Sequence, residues 1–173
     1  MSIRDLIRDH VATGALRPAR PLSRRAPVQR ELYLTVRAQR EFDDASSAVN
    51  LLCGRGYIQR ALERWVTGGH VYASSRSKRF LKRLDEPPPE IWEIRVTEPA
   101  TQGRLFCRFA ATDCLVLTGM HTRTMLGDAG SAAWAQAMAD CETQWNTLFP
   151  GLPPHRADGL GGYISGNFDD VPI

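Results

Sequence analysis

Between residues 91 and 124 the chain carries Arg95, Arg104, Arg108 and Arg123, together with His121, on or beside three short runs of β-forming residues. A guanidinium presents a fixed fork of donors that matches two phosphate oxygens and stays charged at any physiological pH. An imidazole titrates close enough to neutrality to give or take a proton. Together these side chains suit the handling of a phosphodiester: orienting an attacking hydroxyl, stabilising charge that develops on phosphoryl oxygens, and moving protons. Arg95, Arg104 and Arg123 are the candidate phosphate ligands, and His121 is the candidate acid or base. A denser basic run at 74–83 supplies Arg76, Lys78, Arg79, Lys82 and Arg83, which with Arg108 would follow a nucleic-acid backbone with salt-sensitive affinity. The expected activity is RNA-directed.

Each assignment has a plainer counterpart. Glu93 and Arg95 lie two apart on one strand face and can pair across the sheet instead. Arg104 and Arg108 flank Phe106, where a guanidinium over a ring serves packing. Phosphate contact is therefore the reading for Arg104 and Arg123, and structural pairing for Arg95 and Arg108. His121 suits a surface or capping role as well as chemistry. His10, His70 and His155 fall in an arm, a loop and a tail. Trp65, Trp92, Trp134 and Trp145 sit on apolar stripes or alternations and read as core, not as base-stacking platforms.

With 173 residues, 43% hydrophobic and 24% charged, the chain fits one globular domain with appendages. Its longest apolar runs, such as Leu115 to Leu117, fall far short of the roughly 20 residues that cross a bilayer. Arg4, Asp5, Arg8 and Asp9 stand where a signal peptide needs apolar residues, so the expected compartment is the cytoplasm. There Cys53, Cys107, Cys114 and Cys141, none in a Cys-x-x-Cys pair, are expected as reduced core thiols, with no metal or cofactor. Charge is uneven: residues 1–30 hold seven arginines against two acids and 31–85 ten bases against six, whereas 86–150 hold four bases against eight acids. An anionic partner for the basic part fits this asymmetry, as does a solvated surface with a loose basic arm.

The elements that must position these groups follow from periodicity. Ile3, Leu6, Ile7 and Val11 predict a helix over 2–12 ending at Gly14. Three prolines among residues 17–27 predict an extended arm. Alternation of Leu32, Leu34 and Val36 predicts a strand over 31–37. Phe42, Ala45, Val49 and Leu52, then Ile58, Ala61, Leu62, Trp65 and Val66, predict two helices forming a hairpin. Strands follow at about 91–97, 103–110 and 114–120, with connections short enough for antiparallel neighbours. A helix at 131–148 presents Trp134, Ala137, Cys141 and Trp145 on one stripe. The glycine- and proline-rich tail from 151 is expected to be flexible or ordered only by docking on its own domain.

Trp92-Glu93-Ile94-Arg95, Gly103-Arg104-Leu105-Phe106 and Leu117-Thr118-Gly119-Met120-His121-Thr122-Arg123-Thr124 fall in the order and spacing of three motifs of the RelE/ParE toxin superfamily. Residues 31–149 resemble its HigB-like, phage-derived branch. Where that branch has a tyrosine, a histidine and a first lysine, this chain has Cys107, Thr118 and Thr122. The resemblance implies an α+β fold: an N-terminal helical hairpin packed on a small twisted antiparallel sheet with a C-terminal helix, here with an arm (1–30) and a tail (150–173) added. It implies the toxin of a type II toxin–antitoxin system, a metal-independent, ribosome-dependent mRNA endonuclease in which a ribose 2′-hydroxyl attacks the adjacent phosphate. Arg95, Arg104 and Arg123 would then stabilise the phosphate. The implied partners are mRNA, the ribosome and a cognate antitoxin, a small helix-turn-helix protein covering the arginine face. Two other implied outcomes are a non-catalytic ParE-like toxin that binds a protein target, and a phage-derived adaptor that kept the fold and lost the chemistry.

Overall fold

A computed structural model describes residues 1–72, 80–84, 90–98 and 102–169. Helix α1 (Ile3–Thr13) starts where the Ser2 hydroxyl accepts the Asp5 amide and the Asp5 carboxylate accepts the Ser2 amide, satisfying two orphan donors at once. It ends at Gly14, whose φ of 79° needs a residue without a Cβ penalty. Strand β1 (Leu16–Pro18) then pairs antiparallel with β2 (Glu31–Thr35), so the first residues of the expected arm form a sheet edge, where a proline is tolerated. The predicted strand over 31–37 stops at Thr35, because the Thr35 hydroxyl accepts the Ala38 amide and starts helix α2 (Val36–Asp43). Ser47 caps α3 (Ala48–Cys53) in the same way, and α4 (Arg55–Val66) follows Gly54. Strands β3 (Leu81–Leu84), β4 (Ile91–Val96), β5 (Gly103–Ala111) and β6 (Cys114–Thr122) complete the sheet, followed by α5 (Arg123–Leu126), α6 (Ala132–Leu148) and α7 (Leu160–Tyr163).

The architecture is α+β, but the expected RelE/ParE-like arrangement is not what forms. Among the described residues the sheet has six strands in the order β1-β2-β6-β5-β4-β3, and it is mixed, since β2 runs parallel to β6 while the other neighbours are antiparallel. It is larger than a small antiparallel sheet because β1 and β3 extend both edges. The N-terminal element is a single helix, α1, and not a hairpin. The region read as two helices is three, divided where Asp44 and Gly54 end α2 and α3.

Helices lie on both faces. Leu34, Phe42, Ile58, Leu62 and Trp65 pack with Ile94, Leu105, Phe109, Leu115 and Leu117 in the largest core. On the other face Ile7, Val116, Trp145 and Phe149 form one cluster, and Leu84, Ile91, Phe106, Trp134, Ala137 and Cys141 another. All four tryptophans are buried, and full burial of each large apolar side chain contributes roughly 1.5–3 kcal/mol. Trp65 Nε1 donates to the Glu31 carbonyl and Trp145 Nε1 to the Leu152 carbonyl, both at 2.9 Å. The tail docks: the His155 amide donates to the Phe109 carbonyl, the Asp113 amide to the Tyr163 carbonyl and the Val71 amide to the Asn167 carbonyl. All four cysteines are buried. Among the described residues no helix is long and apolar enough to cross a membrane.

Candidate functional site

Strand register brings three of the four predicted chemical residues into one row. Arg95 on β4 lies opposite Arg104 on β5, and Arg104 lies opposite His121 on β6. This placement depends on a β-bulge. Leu115 and Leu117 point into the main core, so unbroken alternation would send Gly119 and His121 there too. In the β5–β6 ladder, however, Phe106 faces Gly119 while Cys107 faces Leu117, leaving Thr118 as an extra residue. Its hydroxyl donates to the Phe106 carbonyl at 3.1 Å. The bulge reverses the phase of β6: Met120 enters the core and His121 turns to the face that holds Arg104 and Phe106.

At the centre of this face lies Glu93, 2% exposed. Arg104 Nε stands 3.3 Å from one carboxylate oxygen and Arg95 Nε 3.6 Å from the other. Burial raises the Glu93 pKa, and the charges of Arg104, Arg95, Lys82 and Arg123 pull it back. Four cations thus surround one carboxylate. Arg104 is equally buried, and its other nitrogens donate to the Gly103 carbonyl at 2.9 Å and to Gln102 Oε1 at 2.8 Å. Burial lowers its pKa and Glu93 opposes the shift, but a guanidinium remains charged. A buried charge must be paired, and Arg104, which the sequence marks as a phosphate ligand, lies enclosed beside Glu93.

Arg123 is the open member of the set. Its side chain is 37% exposed and stacks 5.5 Å from the Trp134 ring centroid, with a hydrogen bond to the Gly127 carbonyl and Asp128 at 3.8 Å. Lys82 is partly exposed on β3, opposite Glu93. Arg83 instead pairs with Glu90 over the rings of Trp92 and Tyr163, and Tyr163 donates to the same carboxylate at 3.0 Å. Arg108 is buried with its guanidinium 5.6 Å from the Trp145 ring. Arg83 and Arg108, both named from sequence as backbone-following residues, are thus held against aromatic rings. Arg76, Lys78 and Arg79 lie outside the described residues.

A polar network that the sequence did not suggest adjoins His121. Strand β2 covers β6 only as far as Leu117, so the ladder groups of the next residues need other partners. Helix α2 supplies one, because the Met120 amide donates to Glu41 Oε2 at 2.6 Å. Arg37 donates to Glu41 Oε1 at 2.9 Å and to Asp140 Oδ2 on α6 at 2.6 Å. Burial raises the Glu41 pKa, against the pull of Arg37 and the Met120 amide. His121 packs on Phe106, with ring centroids 5.2 Å apart. Burial, then the Arg37 charge, lowers its pKa to about 4 in spite of Asp140, so the imidazole is neutral at physiological pH and can accept a proton but not donate one as an imidazolium. Four-residue spacing of Arg37 and Glu41 on a helix was the available signal, and it reads as an ordinary surface pair.

On the far side of the sheet a cleft of about 210 Å³ is lined by Tyr57, Arg60, Arg64, Phe80 and residues 95–98 at the end of β4. Arg60 stacks on Tyr57 at 4.5 Å, and Arg64 is fixed by two hydrogen bonds to the His70 carbonyl. Among the described residues no cluster of His, Cys, Asp and Glu is placed to hold a metal ion.

The geometry defines an α+β protein with a cation-rich sheet face bordered by a neutral imidazole. No protein-family model matches this chain, and neither a curated protein nor a solved structure does.

Proposed function

We propose that the protein is an RNA-directed toxin of the RelE/ParE superfamily, an mRNA endonuclease acting on translated message in the cytoplasm. Family membership is proposed on the three motifs and not on the sheet. One observation carries the reading: the cross-strand row of Arg95, Arg104 and His121, with Arg123 and Lys82 beside it. Arg123 and Arg95 are the phosphate ligands. Arg104 and Glu93 are positioning residues that fix the row. In the proposed step the 2′-hydroxyl proton passes to His121 as the 2′-oxygen–phosphorus bond forms. The phosphorus–5′-oxygen bond breaks, and the departing 5′-oxygen takes a proton from water. The arginines stabilise the added negative charge. A small helix-turn-helix antitoxin covering the Arg123 face is the proposed regulator, and the ribosome presents the message.

Induced expression followed by primer extension on abundant transcripts tests this. New 5′ ends inside codons, absent with His121→Gln, are expected, and intact transcripts with unchanged growth refute it. The buried Arg104–Glu93 pair favours a second reading, a toxin that binds a protein target without cutting RNA. Growth arrest with intact transcripts would select it.

A further inference from the structure

Among the described residues, two guanidinium groups in the cleft on the α4 side of the sheet have no carboxylate partner. Tyr57, Arg60 and Arg64 follow one another by a turn along α4 and face Phe80 and the end of β4. Arg64 is fixed: its Nε and Nη2 donate to the His70 carbonyl at 3.0 and 2.6 Å, and its guanidinium lies 4.9 Å from the Phe80 ring centroid and 5.2 Å from that of Tyr72. Its Nη1 has no hydrogen-bond partner among the described residues. Arg60 is exposed and stacks on the Tyr57 ring. Arg95 also lines the cleft, and the carboxylate in the lining belongs to the exposed Glu98, so three arginines against one glutamate leave it cationic.

These features select an anion that carries a flat ring. A guanidinium clamped between rings with one nitrogen to spare is a phosphate donor, and a guanidinium lying on a tyrosine with its outer face in solvent is a plane on which a base can stack. At about 210 Å³ the cleft is smaller than the roughly 300 Å³ at which pockets for whole small molecules begin, so it suits one unit of a longer chain. Arg95 gives that chain its direction, because it lines the cleft while its Nε stands 3.6 Å from Glu93 on the row across the sheet. A strand whose phosphate is held at Arg95 reaches the cleft by passing the end of β4. We propose that the cleft is a second nucleotide subsite, in which Arg64 takes the phosphate and the Arg60–Tyr57 stack takes the base of a nucleotide flanking the one at the row, an inference that rests on the RNA reading above. An acidic peptide would meet the same charges, but only a nucleotide brings a ring with each charge.

The test titrates a single-stranded RNA of about ten nucleotides, within the range that a single-strand groove covers, with the full chain and with Arg60→Lys and Arg64→Ala, by fluorescence anisotropy at several salt concentrations. Arg60→Lys keeps the charge and loses the flat fork, at an exposed position where folding is little affected. It is expected to bind RNA about tenfold more weakly, the effect of one lost stacked base, with the salt dependence retained. Arg64→Ala removes a phosphate contact and is expected to lower the slope of log affinity against log salt by about 0.7, its melting curve showing that it remains folded. Unaltered RNA affinity in Arg60→Lys overturns the inference while leaving RNA binding at the row to stand, and so does an unaltered slope in folded Arg64→Ala. A polyglutamate peptide that binds as tightly as the RNA and is released by the same substitutions overturns it in favour of a protein partner. Failure of the unaltered chain to bind RNA removes the RNA reading, and this inference with it.

Discussion

Substituting His121 by Gln should change how stability responds to acid. The imidazole is surrounded by Phe106 beneath it, Arg37 from α2, Asp140 from α6 and Arg104 across the sheet, and its pKa falls from 6.5 to about 4 in the folded chain. Above the unfolded value both states hold it neutral and folding gains nothing from its titration. As pH drops through that value the unfolded chain takes up a proton that the folded chain refuses until about pH 4, so stability is lost across this window. At about 1.4 kcal/mol per pH unit the full displacement corresponds to about 3 kcal/mol. The ring keeps some contact with water, which reduces the expected loss to about 2 kcal/mol. Glu41 and Glu93, whose pKa values are raised by burial, titrate with the opposite sign but do so in both proteins. Urea unfolding of the unaltered protein and of His121→Gln at about pH 7.5 and about pH 4.5 isolates the imidazole, because loss of the Phe106 contact offsets the variant equally at both. The gap between the two proteins should close by about 2 kcal/mol in acid. Parallel curves would refute the buried, cation-facing placement of His121.

Glu93→Ala leaves Arg104 buried without its carboxylate and should cost about 3–5 kcal/mol in urea unfolding, far more than an exposed pair would. Trp145→Ala empties a fully buried site against Phe149 and Arg108 and removes the hydrogen bond to Leu152, so a loss of about 3–5 kcal/mol is expected from the same measurement. Arg123→Ala should lower RNA cleavage about 100-fold in primer extension while moving the unfolding free energy by no more than about 0.5 kcal/mol, since this side chain is partly open to solvent.

Much of the secondary structure was legible because each element carries its own period. Helix α1 shows its apolar spacing and Gly14 stop, α6 its tryptophan stripe, and β4, β5 and β6 were located within a few residues. The sheet beyond them was not legible, for reasons that lie in long-range pairing. Nothing local announces that residues 31–34 run parallel to 114–117, or that Leu16–Pro18, written among prolines, forms an edge strand. The candidate site divides along the same line. Arg95, Arg104 and His121 were singled out by type, and the ladder does bring them together. Alternation alone would have buried His121 in the core, and only the extra residue at Thr118 turns it outward. Arg104 was expected to reach a phosphate because a sequence does not show depth, whereas the sheet encloses it beside Glu93. Glu41 and Arg37 escaped notice because their role arises from a gap in the ladder where β2 gives way to α2.

Arg95 and Arg123 are proposed to hold an RNA phosphate on the face organised by Glu93 and Arg104. Anisotropy titrations of a single-stranded RNA across a range of salt concentrations test it most directly, comparing the unaltered protein with the Arg95→Ala, Arg123→Ala double variant. Each phosphate contact on a single strand contributes about 0.7 to the slope of log affinity against log salt, so the double variant should bind more weakly with a slope reduced by about 1.4. An unchanged affinity and slope would mean that Arg95 and Arg123 do not hold the phosphate.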